Sequence, residues 1–223
     1  MKQEHRLPVI VLDGPAGAGK SSVARELAAR IGVPFLDTGA IYRGITWWLD
    51  KKSIVPQDGP ELECALRTFS VSLPDNRVLV CGVDVTSEIR TPRIDQKVSS
   101  FAALKGVRDA LLSLQRDQAA LGLVAEGRDM GTIVFPNADL KIFLTASPEE
   151  RAKRRYQERL DKGESADYEG ILKQVIERDN HDSTRNVAPL RQAEDALLLD
   201  STGMPFDVVV AKILQIAKER GVA

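Results

Sequence analysis

Gly14-Pro15-Ala16-Gly17-Ala18-Gly19-Lys20-Ser21 carries the sharpest chemical signal in the chain. It fits G-x-x-x-x-G-K-[ST] without a mismatch, a pattern that cradles nucleotide phosphates. Its glycines let the backbone curl until successive N–H groups point at one anion, and a helix start behind them adds partial positive charge. The expected ATP-binding residues are Gly14, Pro15, Ala16, Gly17, Ala18, Gly19, Lys20, Ser21 and Ser22. Lys20 reaches the β- and γ-phosphates, and the hydroxyl of Ser21 or Ser22 ligates Mg²⁺, the expected cofactor.

Three further constellations suit phosphate chemistry. Asp37-Thr38-Gly39-Ala40-Ile41-Tyr42-Arg43 offers an arginine for a second phosphate. Glu126-Gly127-Arg128-Asp129-Met130-Gly131 sets an arginine beside a carboxylate just after an apolar run. Arg151, Arg155 and Arg159 recur every four residues with Arg154 beside them, and Arg178 and Arg185 follow with Asp179 and Asp182. Glu150–Arg154 and Glu158–Lys162 have the i,i+4 spacing of helix ion pairs, the bland reading of such a stretch. Beside a phosphate loop, clustered arginines suit the lid of a phosphoryl-transfer enzyme. The guanine-reading N-K-x-D of switch GTPases is absent from the sequence. Asp200-Ser201-Thr202-Gly203 matches D-x-x-G, a pattern short enough to occur about once here by chance.

The elements that must position these residues read as alternating strands and helices. Strands are expected at Val9–Leu12, Pro34–Asp37, Leu121–Ala125, Leu140–Thr145 and Leu197–Asp200. Helices are expected at Lys20–Ile31 (Val23, Leu27 and Ile31 on one face, Gly32 as C-cap), Tyr42–Leu49 and Lys105–Leu121. Others are expected from Pro148, near Gly170–Asp179, and at Phe206–Glu219. That order predicts an α/β three-layer fold around a parallel five-stranded core sheet. Phe69–Val85 breaks the rhythm and reads as a small antiparallel hairpin turning at Pro74-Asp75-Asn76. Of Trp47 and Trp48, at least one is expected in the core.

Composition narrows the class. The chain has 223 residues, 43% hydrophobic and 28% charged, which fits one large domain or one domain with insertions. Lys and Arg number 31 against 32 Asp and Glu, so general attraction to nucleic acid or anionic lipid is not expected. Cys64 and Cys81 fit a reducing cytosol rather than a disulfide scaffold. His5 and His181, far apart in sequence, make a zinc site improbable. No signal peptide or membrane span is expected, which predicts a cytoplasmic protein, with a monomer as the default.

With these motifs in view, the sequence from about Val9 to Ile216 resembles the bacterial cytidylate kinases of the nucleoside monophosphate kinase group. The resemblance rests on GPAGAGK, DTGAIYR, SEIRT (Ser87–Thr91), VRDALL (Val107–Leu112), GRDMGT (Gly127–Thr132), KIFL (Lys141–Leu144) and ERAKRR (Glu150–Arg155). It implies a P-loop NTPase-type core (about 1–37, 105–147 and 183–223), an acceptor-nucleotide region with a small antiparallel element (about 38–104) and a helical lid (about 148–182). It implies that Arg43, Arg128 and Arg185 hold the phosphate of CMP, and that Ser99, Arg108 and Asp129 read cytosine. Arg178 and Asp182 bind the sugar, and Thr38 and Tyr42 line the acceptor site. Glu126 stands where some relatives have Asp, Ile41 where Met is frequent, and Ser21 where some have Gly.

The implied reaction is ATP + (d)CMP → ADP + (d)CDP. A phosphomonoester is already ionised at neutral pH, so no general base is required. The work left is in-line positioning and neutralisation of crowded negative charge. Lys20, Arg128, Arg155, Arg159 and Arg185 are the expected catalytic residues. The competing readings are a P-loop kinase for a hydroxyl acceptor, with Asp37 as base, and a nucleotide-binding regulatory or RNA-binding module.

Overall fold

The computed structural model describes residues 7–74 and 77–222. Asp75 and Asn76, in the expected hairpin turn, and His5 lie outside the described residues. The chain forms two compact units, Met1–Leu36 with Gln118–Ala223, and Asp37–Asp117.

The first unit is built on strands β1 (Val9–Asp13), β2 (Phe35–Asp37), β6 (Leu123–Gly127), β7 (Leu140–Thr145) and β8 (Leu197–Asp200), in the order β2-β6-β1-β7-β8. β1 is central and runs parallel to both neighbours, pairing Asp13 with Gly127 on one side and with Phe143 on the other. Every residue of β1 is buried, as its continuous apolar run predicts for a strand covered on both faces. Helices α1 (Lys20–Ile31) and α8 (Phe206–Glu219) share one core with the sheet. Val23, Leu27, Val210 and Ile213 pack there with Ile10, Leu12, Ile142 and Leu144. Gly32 ends α1 in the left-handed region (φ 78°), its N–H donating to Ala28 O.

Helices α6 (Pro148–Asp161) and α7 (Tyr168–Thr184) also belong to this unit and carry their own small core of Ala152, Ile171 and Val175. Tyr156 and Tyr168 meet edge to face beside it, ring centres 6.1 Å apart. Ser147 caps α6 by accepting from Glu150 N, and Asp167 caps α7 by accepting from Gly170 N.

The second unit holds α2 (Thr38–Lys51), α3 (Pro60–Arg67), α4 (Pro92–Ala102) and α5 (Lys105–Asp117). Its sheet has three strands of two residues each, β3 (Val71–Ser72), β4 (Leu79–Val80) and β5 (Val83–Asp84), paired antiparallel in that order. The expected hairpin is therefore a three-stranded ribbon. The expected core segment 105–147 divides at Asp117, with α5 belonging to this unit.

Several boundaries move for local reasons. Helix α2 starts at Thr38 rather than Tyr42, because Asp37 Oδ1 accepts from Ala40 N at 2.8 Å and caps it. The helix from Lys105 stops at Asp117 instead of Leu121. A 3₁₀ turn follows, and Leu121 is 73% exposed. Helices α3 and α4 go beyond the elements expected from sequence. Trp48 is buried, while the Trp47 indole N–H donates to Glu88 at 2.8 Å.

Candidate active site

β1 ends in the buried Asp13 and hands over to the phosphate loop. Gly14 is required there by packing. A Cβ on it would lie 1.9 Å from the Leu144 carbonyl oxygen of the neighbouring strand, closer than any side chain tolerates. The loop ends at Gly19, which precedes α1 in the left-handed region and has no side chain to cap it. The first amides of α1 are thus left for an anion, and the helix dipole favours one.

Lys20 is 5% exposed and its ammonium donates to Pro15 O at 2.8 Å, folded over its own loop. Burial, reinforced by the Arg128 charge, pushes the Lys20 ammonium down to about 7. Ser21 Oγ donates to Glu126 Oε1 at 3.0 Å, joining the start of α1 to β6, while Ser22 is exposed. A hydroxyl and a carboxylate beside a phosphate cradle form a hard oxygen donor set, which fits Mg²⁺.

Helix α6 presents its arginines to this loop. A Cβ on Gly17 would lie 3.3 Å from Arg151 Cβ and 3.6 Å from Arg155 Cδ. Arg151 is not a mobile lid arginine. It is 3% exposed, donates to Ala146 O at 2.8 Å and Ala16 O at 3.0 Å, and forms a two-pronged pair with Asp179 of α7. Arg154 donates to Ser201 O at 2.8 Å and pairs with Glu150 at 3.0 Å, the expected i,i+4 bridge. The Lys162–Glu158 bridge is present too, at 2.8 Å. Arg155 is half-buried beside the loop, and Arg159 lies one turn further along α6, also half-buried. Gly163 takes φ +74° just past the end of α6, where Gly163 N donates to Leu160 O. Its place is a helix-terminating turn.

A second cluster forms around Asp182, which is 3% exposed. Arg128 Nε donates to its Oδ2 at 3.0 Å. Arg178 and Arg185 each place a guanidinium nitrogen 3.9 Å from one of its oxygens. Residues 178, 182 and 185 are four and three apart, so α7 and its last turn stack them on one face. Burial alone would raise the Asp182 pKa. The charges of Arg128, Arg178 and Arg185 outweigh it and hold the carboxyl below its ordinary value. The result is three guanidinium groups gathered around one buried carboxylate, an arrangement that suits a phosphate or other polyanion.

Asp129 follows Arg128 and is 2% exposed. It precedes a π-helical turn, Met130–Val134, whose first amides donate to the Asp13 carboxylate. Burial pushes Asp13 up to about 6, opposed by those two amides.

In the second unit, Thr38 and Tyr42 are buried in the first turns of α2. The Arg108 guanidinium lies over the Tyr42 ring at 5.3 Å and donates to Ala102 O at 2.9 Å. Arg43 gives both Nε and Nη2 to Asp95 Oδ1, at 3.2 and 3.0 Å. Ser99 is half-buried on α4. Asp37, the base in the hydroxyl-acceptor reading, is engaged by Ala40 N and by Arg90 Nη2 at 3.1 Å. Asp13, Asp95 and Asp179 organise these residues and were not singled out from sequence as doing so. No short motif marks them, because each acts through a partner remote in the chain.

A central β1 feeding a glycine-rich loop, a buried lysine at the start of α1 and arginines gathered on following helices define a P-loop phosphotransferase. The family description "Cytidylate kinase" matches residues 10–219, and the chain belongs to that family. It is 48% identical over 215 residues to a cytidylate kinase of Exiguobacterium sp. (strain ATCC BAA-1283 / AT1b), covering 94% of this chain and 96% of that protein. A cytidylate kinase of Carboxydothermus hydrogenoformans is 45% identical over 212 residues, covering 93% and 96%. A bifunctional pantoate ligase/cytidylate kinase of Synechococcus sp. (strain RCC307) is 47% identical over 221 residues. The match spans 96% of this chain and 43% of that longer protein. Among solved structures, an uncharacterized protein from Eubacterium ventriosum ATCC 27560 superposes with a TM-score of 0.54 at 16% identity, covering 96% of this chain and 99% of that one. At that identity the likeness concerns the fold alone. No described helix is long and apolar enough to cross a membrane.

Proposed function

We propose that this enzyme transfers the γ-phosphoryl group of ATP to the phosphate of CMP and dCMP, forming CDP and dCDP. Membership of the cytidylate kinase family supports the substrate class. The observation that carries the site assignment is the gathering of Arg128, Arg178 and Arg185 around the buried Asp182.

The nucleophile is a phosphate oxygen that is ionised before it arrives, so the residues need not remove a proton. Their task is to bring two polyanions together. On the donor side the phosphate loop, Gly14–Ser22, wraps the ATP phosphates, and Lys20 leaves Pro15 O for them. Arg155 and Arg159 of α6 answer the charge that develops as the phosphoryl group moves. Ser21, with Glu126 behind it, would hold Mg²⁺, which would supply countercharge to the donor phosphates. On the acceptor side Arg43, Arg128 and Arg185 take the CMP phosphate, while Arg178 and Asp182 face the sugar.

Cytosine offers an N4 amino donor beside N3 and O2 acceptors. Asp129 accepts from N4, and Arg108, with Ser99, donates to the acceptors. Thr38 and Tyr42 line the same nucleotide, Tyr42 also bracing the Arg108 guanidinium. Uracil carries an acceptor where cytosine carries N4, so it would set lone pairs against Asp129, and a site built on hydrogen bonds rejects such an analogue strongly. The same reading takes the enzyme as a cytoplasmic monomer acting on free nucleotides, and its balanced charge argues against general attraction to nucleic acid or anionic lipid.

The test is a coupled assay of ADP formation with CMP, dCMP, UMP, AMP and a panel of small hydroxyl compounds. CMP and dCMP should lead. Turnover confined to a hydroxyl acceptor, or none with any acceptor, would overturn the assignment.

A further inference from the structure

Asp13 lies at the end of β1, is 5% exposed, and accepts two hydrogen bonds from far along the chain. Met130 N donates to Oδ1 at 2.8 Å and Gly131 N to Oδ2 at 2.7 Å. Its backbone sits in register with Gly127 of β6. Asp13 therefore grips the chain on both sides of two residues, Arg128 and Asp129. Gly127 is fixed before them by strand pairing, and Met130 and Gly131 after them by the carboxylate fork. Asp129 O closes the segment by accepting from Ile133 N and Val134 N.

The fork is sterically prepared. A Cβ on Gly131 would stand 3.4 Å from Asp13 Oδ2 and 3.1 Å from Lys141 Cδ, tighter than most real contacts. Lys141 is itself held by Pro136 O and Asp195, so a glycine leaves the amide its close approach to Asp13. Asp13 is also bonded directly to Gly14, the first residue of the phosphate loop, whose place is fixed by contact with β7.

We propose that Asp13 is a positioning residue for base selection, fixing Asp129 and Arg128 against the phosphate loop so that CMP is preferred to UMP. This rests on the role given above to Asp129. Asp13 touches neither nucleotide; it acts by denying Asp129 the freedom to turn from the base. Two carboxylate oxygens are needed, because two neighbouring amides each take one. An amide in its place turns an N–H₂ donor toward one of those N–H groups, and that backbone hydrogen bond is lost. Displacements of about an ångström at such a site cost on the order of a hundredfold in rate.

Steady-state constants for CMP and UMP in wild type, Asp13→Asn and Asp129→Ala test this. In Asp13→Asn the ratio of kcat/KM for CMP to that for UMP should fall about tenfold or more, because CMP loses a specific partner and UMP a specific repulsion. Equal losses for both nucleotides, leaving the ratio unchanged, would mark Asp13 as a structural residue and overturn the proposal. If Asp129→Ala collapses the ratio and Asp13→Asn does not, only this inference fails. If Asp129→Ala leaves it unchanged, the base-reading assignment fails and takes the inference with it. Should Asp13→Asn fail to fold, hydrogen exchange on the wild-type enzyme without nucleotide decides. The Met130 and Gly131 amides should exchange as slowly as those of β1, and exchange at the rate of an unstructured peptide would overturn the proposal.

Discussion

Asp182→Asn removes one negative charge and leaves almost every atom in place. In the wild-type chain that charge is buried, with Arg128 3.0 Å away and Arg178 and Arg185 each at 3.9 Å. The amide oxygen still accepts from Arg128, so the loss is electrostatic. Breaking a buried pair costs roughly 3–5 kcal/mol, and the retained hydrogen bond puts this variant near 3 kcal/mol. For a chain of this size that lowers Tm by about 6–12 °C. The sign with pH is fixed: the Asp182 pKa is depressed on folding, so its contribution is present above the ordinary carboxylate pKa. It is lost as pH falls through the depressed value, and the two proteins should converge in acid. A phosphate replaces the missing charge. At about a hundredfold over its dissociation constant, inorganic phosphate adds about 2.7 kcal/mol to whichever form binds it. Thermal denaturation of both proteins with and without phosphate is the assay. The variant should melt lower and gain more from phosphate than wild type does. A Tm within about 2 °C of wild type, with equal gains from phosphate, would show that the arginines are not organised by Asp182.

Asp129→Ala should lose the preference for CMP over UMP; unchanged kcat/KM ratios for the two would refute its role. Lys20→Ala should cost several kcal/mol of transition-state stabilisation, visible mainly in kcat, and a changed KM with intact kcat would contradict the placement of Lys20 on the moving phosphoryl group. Because burial holds the Lys20 ammonium down to about 7, bound ATP should raise it again. At pH 8 calorimetry in buffers of different ionisation enthalpy should show proton uptake on ATP binding, and none would contradict the direction. Arg151→Ala should destabilise the enzyme, since it strips the two-pronged pair with Asp179 and the tie to Ala16 O. Unchanged thermal stability would return Arg151 to the class of mobile lid arginines.

Much of the scaffold is written in local pattern. Val23 and Leu27 at helical spacing, with Gly32 beyond them, mark α1 to its last residue, a continuous apolar run marks β1, and Ile142-Phe143-Leu144 marks β7. Helices α3 and α4 carry signals of their own: Pro60 and Pro92 stand at first helical positions, and Ile94, Val98 and Phe101 follow at helical spacing. β3, β4 and β5 are two residues long, shorter than any alternation that could announce them separately. The phosphate loop was legible because its chemistry is contiguous. The roles of residues 178, 182 and 185 came from the family resemblance, because the helix expected to end near Asp179 in fact runs to Thr184 and stacks them. The Asp13 fork spans 117 residues, and the burial of Arg151 depends on α7 docking against α6. Neither leaves a trace in neighbouring letters.

In the proposed mechanism this enzyme acts by marshalling countercharge around an acceptor phosphate that needs no base. A crystal structure with a bisubstrate mimic, cytidine and adenosine joined through their phosphates, tests that most directly. The phosphate on the cytidine side should lie within hydrogen-bond distance, about 3 Å, of the Arg43, Arg128 and Arg185 guanidiniums, with N4 of the base on Asp129. An ordered mimic whose cytidine phosphate touches none of those arginines would contradict it.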